Sequence, residues 1–129
     1  MKKIALFTLI LLLPLLWSCT SAPPEIEAGL QPREYFQRAQ DATEASKYKT
    51  AVAYYEAFLE AYPEERDRGL WAEYEIALLY EKMGDLEQSL KLFEALLARY
   101  DSPDAETYPP GPQILSLKVK TRIEAALAK

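Results

Sequence analysis

The sequence lacks most of the residues on which catalytic and metal sites depend. Its 129 residues include no histidine, one cysteine and four glycines. Without histidine, a serine or cysteine nucleophile has no base of the common triad type, and a single cysteine cannot form an intramolecular disulfide. The glycines are scattered, so there is no glycine-rich phosphate loop. We therefore predict a protein that is not an enzyme and that uses neither a cofactor nor a metal ion.

Positive charge is also scarce. The chain has 15 Lys and Arg against 20 Asp and Glu, a net charge of −5. Loss of the first 18 residues, which carry Lys2 and Lys3 but no acid, would leave 13 bases against 20 acids, or −7. A surface of this sign argues against nucleic acid as a partner and against electrostatic attraction to anionic lipid.

Residues 1–18 have the pattern of a secretion signal. Lys2 and Lys3 precede an almost wholly apolar run over residues 4–17, which is shorter than the ~20 residues that span a bilayer. The run ends in Leu16-Trp17-Ser18-Cys19, which resembles the lipobox of bacterial lipoproteins, although Trp17 departs from the small residue preferred there. The alternatives are an uncleaved anchor and an ordinary secretory signal followed by a chance cysteine.

The lipobox resemblance implies that Cys19 is lipidated and becomes the new N-terminus. Several acyl chains would hold the protein firmly, because one chain alone anchors only marginally. In that family an aspartate after the cysteine favours the inner membrane, whereas Thr20 allows the outer membrane. We expect an envelope protein that is lipid-anchored to the outer or inner membrane and faces the periplasm, with residues 19–31 as a flexible tether.

Two apolar helical patterns flank one breaker within Leu70–Asp101. The first pattern includes Ile76, Ala77 and Tyr80, and the second runs through Ser89, Phe93 and Leu96, each at the three-to-four-residue spacing of a buried helix face. Between them, Gly84 can take a positive φ and Asp85 can cap the next helix. The connection is so short that the helices must pack antiparallel, which predicts an αα-hairpin.

A weaker copy of this hairpin lies 38 residues earlier in the chain. Ala39, Ala51, Tyr55, Phe58 and Tyr62 precede Ala77, Ser89, Phe93, Leu96 and Tyr100 by this constant offset. Self-similarity at such a period is typical of helical repeats.

These residues resemble the tetratricopeptide repeat over roughly Pro32–Pro103. In that family, small residues stand at repeat positions 8 and 20 and an aromatic stands at 24, as Ala77, Ser89 and Phe93 do here. Glu73 and Asp101 depart from the pattern. Four extra residues between the repeats look like those of outer-membrane lipoproteins that assist β-barrel assembly or coordinate periplasmic cell division.

The predicted fold is all-α, a short α-solenoid over residues 32–129. It consists of two tetratricopeptide-like hairpins, at about 32–63 and 68–101, a proline-rich loop at 102–112 and a helix at 113–129. Two repeats leave apolar ends uncovered, so we interpret the last helix as a cap. The alternative is half of a third repeat that a partner completes.

The family lines a concave groove with the first helix of each repeat. This resemblance places Phe36 and Gln40 in the groove from the first repeat. From the second repeat, Trp71, Tyr74 and Leu78 form one stripe that can bind a partner, since Trp and Tyr are common in binding hot spots. Alternatively, the last helix or the first helix covers this stripe.

We interpret the chain as a membrane-anchored adaptor that binds a protein partner. The rival interpretation is a ligand-binding accessory lipoprotein of a transport system, with an enclosed apolar pocket around Trp71. A deep cavity would favour the rival, and an open groove would favour the adaptor.

Overall fold

The computed structural model describes residues 24–129, and within them the chain forms helices and no strands. Five α-helices follow one another in consecutive antiparallel pairs, which confirms the predicted all-α solenoid. They are α1 (Pro32–Glu44), α2 (Tyr48–Ala61), α3 (Arg66–Lys82), α4 (Leu86–Arg99) and α5 (Pro110–Leu127), with a short 3₁₀-helix at Pro103–Thr107 between α4 and α5.

The second hairpin, α3 and α4, forms around a contact between small residues. Ala77 and Ser89 are both fully buried, and the Ser89 hydroxyl donates a 2.7 Å hydrogen bond to the Ala77 carbonyl. Nearby, Arg99 of α4 donates to the Glu73 carboxylate of α3. Glu73, which departs from the tetratricopeptide pattern that the sequence resembles, thus forms an ion pair that ties the two helices together.

The turns of the two hairpins have the same geometry. Gly84 has φ +83°, and the N–H groups of Gly84 and Asp85 bond to the carbonyls of Glu81 and Tyr80, the pattern of a Schellman cap. In the first hairpin the equivalent residue is Ser46, with φ 58°. The side chain of Asp85 then accepts from the N–H of Gln88 at 3.1 Å, as predicted for the start of α4.

Two hydrophobic cores share α3. One joins α1, α2 and the α3 residues Ala72, Ile76 and Leu79. The other joins α4, α5 and a different part of α3, including Leu70 and Ala77. Because α3 buries side chains in both cores, it links the first hairpin to the rest of the solenoid.

The loop predicted at 102–112 is wrong at its C-terminal end, because α5 begins at Pro110 rather than at residue 113. Pro110 and Pro112 lie in its first turn, where backbone N–H groups have no intrahelical acceptor and proline costs nothing. The Tyr100 hydroxyl donates to the Pro109 carbonyl at 2.9 Å, and this bond holds the start of α5 beside the end of α4.

The tether predicted at 19–31 is in part docked onto the first hairpin. Ile26 and Leu30 pack against its core, and the Tyr62 hydroxyl donates to the Leu30 carbonyl at 2.8 Å. Arg38 of α1 also lies 3.0 Å from the Glu27 carboxylate. Any flexible tether is therefore shorter than the sequence pattern predicts, because the apolar side chains of this segment find a partner surface.

The two equivalent turn positions provide a matched test of the repeat. A non-glycine residue in the left-handed region carries about 1–2 kcal/mol of strain, partly offset by the greater entropy that glycine loses on folding. We expect Ser46→Gly to stabilise the domain by about 0.5 kcal/mol or more and Gly84→Ser to destabilise it similarly. Chemical denaturation measures both effects. The control is Ser46→Ala, which keeps the strain, so an equal gain in that variant would contradict the explanation.

Candidate functional site

The predicted partner-binding stripe on α3 lies beside α5. Tyr74 is only 8% exposed and belongs to the second core, with its ring 5.9 Å from that of Phe93. The Trp71 ring meets Tyr74 edge-to-face at 5.9 Å. Trp71 and Leu78 are half-buried and pack against the same core.

The first turn of α5 covers the Trp71 ring. A Cβ atom built on Gly111 would lie 2.6 Å from Cζ2 of Trp71 and 2.9 Å from Cη2. The indole therefore packs on glycine backbone that no other residue could offer so closely. Of the two interpretations that the sequence left open, cover by the last helix holds for Tyr74, which is buried in one core with residues of α5, whereas Trp71 and Leu78 remain half-buried.

The two predicted site residues of the first repeat differ in how far they are exposed to solvent. Phe36 is half-buried, and its ring meets those of Tyr55 and Phe58 edge-to-face at 5.2 and 5.0 Å. Gln40 is exposed. Phe36 thus contributes mainly to packing, whereas Gln40 is free to contact a partner.

Glu75 adds a charge to this face, one turn of α3 from both Trp71 and Leu78. Burial raises the pKa of its carboxyl group, which the positive charge of Lys82 lowers only in part. The pKa of the Tyr55 hydroxyl is raised by burial and by the nearby Glu75 charge. Within residues 24–129, no Lys or Arg forms an ion pair with Glu75. A half-buried carboxylate of this kind suits a cationic group of a partner.

Ion pairs fasten α5 across the end of the second repeat. The Arg122 guanidinium donates two hydrogen bonds, of 3.0 and 2.7 Å, to the Glu81 carboxylate of α3. Lys120 lies 3.7 Å from Glu94 of α4 and 2.7 Å from Glu124 on its own helix. Ion pairs to α3 and to α4 therefore hold the orientation of α5, together with the packing of its apolar face.

Four open clefts of the described region have volumes of about 320–390 Å³, and Trp71 lines none of these four. Residues 24–129 contain no group of three or more acidic, cysteine or histidine side chains placed to hold a metal ion. In the same range, no helix is both long and apolar enough to cross a membrane. Cys19 lies outside the described residues.

Comparison with known proteins agrees with this geometry. Residues 71–102, most of α3 with α4, match the family model described as tetratricopeptide repeat. The match supports a tetratricopeptide-repeat protein. Repeats of this kind are typical of scaffolds for protein–protein interaction.

The chain is also similar to an uncharacterized protein of Treponema pallidum (strain Nichols). The two are 25% identical over 114 residues, which cover 87% of this chain and 46% of the relative. The chain therefore spans about half the length of the curated relative that it matches. No solved structure matches the chain.

The contact between Trp71 and Gly111 can be tested with a matched pair of glycines. Alanine usually stabilises a helix by up to about 1 kcal/mol relative to glycine. A Cβ on Gly69 in α3 would meet only Cδ2 of Leu59 at 3.5 Å, so Gly69→Ala should stabilise the fold. Gly111→Ala should instead destabilise it by about 1–3 kcal/mol through overpacking, as measured by denaturant unfolding.

A second substitution tests whether the Trp71 ring causes the stability loss expected for Gly111→Ala. Trp71→Phe, which shortens the ring, should restore most of the stability lost in Gly111→Ala. Equal effects of alanine at the two glycines, or no rescue by Trp71→Phe, would contradict the proposed contact.

Proposed function

We propose that the protein is a lipid-anchored scaffold of a bacterial cell envelope that holds a protein partner near the membrane. The observation that carries the scaffold role is the tetratricopeptide repeat formed by α3 and α4, with its match over residues 71–102. The anchor rests on the sequence pattern that ends at Cys19. A role in outer-membrane assembly or in another envelope process belongs to the same proposal.

The surface proposed for the partner is the face that the family uses as its groove. It includes the exposed Gln37 and Gln40 of α1 and the half-buried Trp71, Glu75 and Leu78 of α3. Apolar and acidic groups are thus mixed on this face, which suits a peptide that combines apolar side chains with a cation. The open clefts favour this scaffold over a small-ligand carrier with an enclosed pocket around Trp71.

Replacing exposed groups of this face tests the scaffold without disturbing the core. Gln37 and Gln40 are both exposed on α1, and Glu87 and Lys91 are both exposed on α4. We expect the Gln37→Ala, Gln40→Ala double variant to lose at least tenfold in partner affinity, about 1.4 kcal/mol. The Glu87→Ala, Lys91→Ala control should keep full affinity.

Crosslinking in detergent-solubilised envelopes, followed by mass spectrometry, identifies the partner, and titration with the purified partner measures the affinity. Equal loss in both double variants would place the binding surface elsewhere.

The anchor is tested separately. Cys19→Ser should leave the protein unprocessed or release it from membranes, because the acyl chains that provide membrane affinity have no attachment site. Fractionation shows where the protein resides, and intact mass spectrometry of the wild type should show the acyl groups. A mature wild-type protein with a free thiol at Cys19 would refute the anchor and leave the scaffold proposal untouched.

A further inference from the structure

The last helix has two apolar faces, and the structure covers only one of them. Pro112, Ser116, Val119 and Ile123 are buried against the second repeat. On the other side, Ile114 is 61% exposed and Leu117 is 52% exposed. Exposed apolar side chains at this spacing are unusual on the outer surface of a cap, which must be polar for solubility.

The exposed face of α5 corresponds to a face that α3 uses for its own partner helix. The buried residues Pro112, Ser116 and Val119 lie forty positions after Ala72, Ile76 and Leu79, which α3 buries against the first repeat. In this register, Leu117 corresponds to Ala77 and Gln113 to Glu73. Ala77 and Glu73 are the residues through which α3 contacts Ser89 and Arg99 of α4.

An open groove lies where the corresponding helix would pack. Its volume is about 330 Å³, and it is lined by Glu94, Leu97 and Ala98 of α4, by Asp101 just after α4, and by Gln113, Leu117 and Lys120 of α5. The equivalent cleft one repeat earlier is lined by Glu56 and Leu59 of α2, by residues of α3 and by residues of α4, which packs on α3 beside it. A helix packed on α5 as α4 packs on α3 would therefore border this groove on its open side.

The charge of the rim indicates which kind of helix would bind. Two acidic residues that line the groove are exposed, Glu94 of α4 and Asp101, which follows the end of α4. The one basic residue that lines the groove, Lys120, is already paired with Glu94 and Glu124. The rim therefore keeps a net negative charge, which attracts a basic helix and disfavours an acidic one.

We propose that α5 is the first helix of a third repeat and that a basic amphipathic helix of a partner protein binds beside it in this groove, in the position of a second helix. Because Leu117 is larger than Ala77, the partner helix presents a small residue opposite it. This surface lies on a different side of α5 from the face assigned to the scaffold function. It therefore adds a second contact to that proposal.

A peptide derived from α4 provides a defined probe. It has the sequence Asp85–Tyr100, with Ser89→Gly to make room for Leu117 and with Glu87→Lys and Glu94→Lys on its solvent face. The matched control peptide carries Ser89→Gly alone and stays acidic. With the full-length chain, fluorescence anisotropy should show the basic peptide binding at least tenfold more tightly than the acidic one, with an affinity that falls as salt rises.

Two variants of the protein locate the peptide. Leu117→Ala should weaken binding about tenfold, whereas Leu127→Ala should not change it, although Leu127 is exposed to a similar extent, 46%. Asp101→Lys should weaken the basic peptide specifically. Since these side chains are exposed, thermal melts should be unchanged.

Three outcomes would overturn the proposal. They are no binding of the basic peptide, equal binding by the Leu117→Ala and Leu127→Ala variants, and self-association of the chain that Leu117→Ala abolishes. The last result would assign the groove to a second copy. None of them bears on the scaffold face, because the Gln37 and Gln40 variants test that face independently.

Discussion

The close crossing of α3 and α4 at Ala77 and Ser89 is the contact on which the rest of the structure depends. Both side chains are small and fully buried, so the two backbones approach until the serine hydroxyl reaches the alanine carbonyl. This distance determines the depth at which Phe93 and Leu96 enter the core. It also determines the angle at which α4 presents its other side to α5. A larger residue at either position would force the helices apart, and the solenoid could not continue in the same direction.

The helix α5 converts the end of this solenoid into two different surfaces. On one side it buries Tyr74 and packs glycine backbone on Trp71, while its ion pair with Glu81 fixes its orientation. On the other side it leaves Ile114 and Leu117 exposed, and Leu117 lines a groove together with Glu94 and Asp101. The helix α5 thus limits how much of the α3 groove face is available to a partner. On its opposite side, it forms one wall of the open groove next to α4.

Much of the architecture was predictable because it depends on local chemistry. Gly84 and Asp85 specify a helix end and a helix start wherever they occur between two apolar stripes. The constant offset between Ala39 and Ala77 indicates a repeat, whatever the rest of the chain does. The start of α5 was missed, since prolines 110 and 112 break a helix interior but suit its first turn. Only the folded backbone shows whether a proline lies in a helix interior or in the first turn of a helix.

The sequence by itself determined the fold class, the two hairpins and the packing roles of Ala77, Ser89 and Phe93, because spacing along one helix fixes which side chains share a face. Only the tertiary structure decided which faces are covered. The stripe of Trp71, Tyr74 and Leu78 and the pair Ile114 and Leu117 look alike as patterns, since both are apolar residues at helical spacing. Tyr74 of the first set is buried in the second core and Trp71 packs against the start of α5, whereas Ile114 and Leu117 stay exposed and Leu117 lines an open groove. The difference arises because burial depends on the position of neighbouring helices, which the sequence of a single helix does not contain.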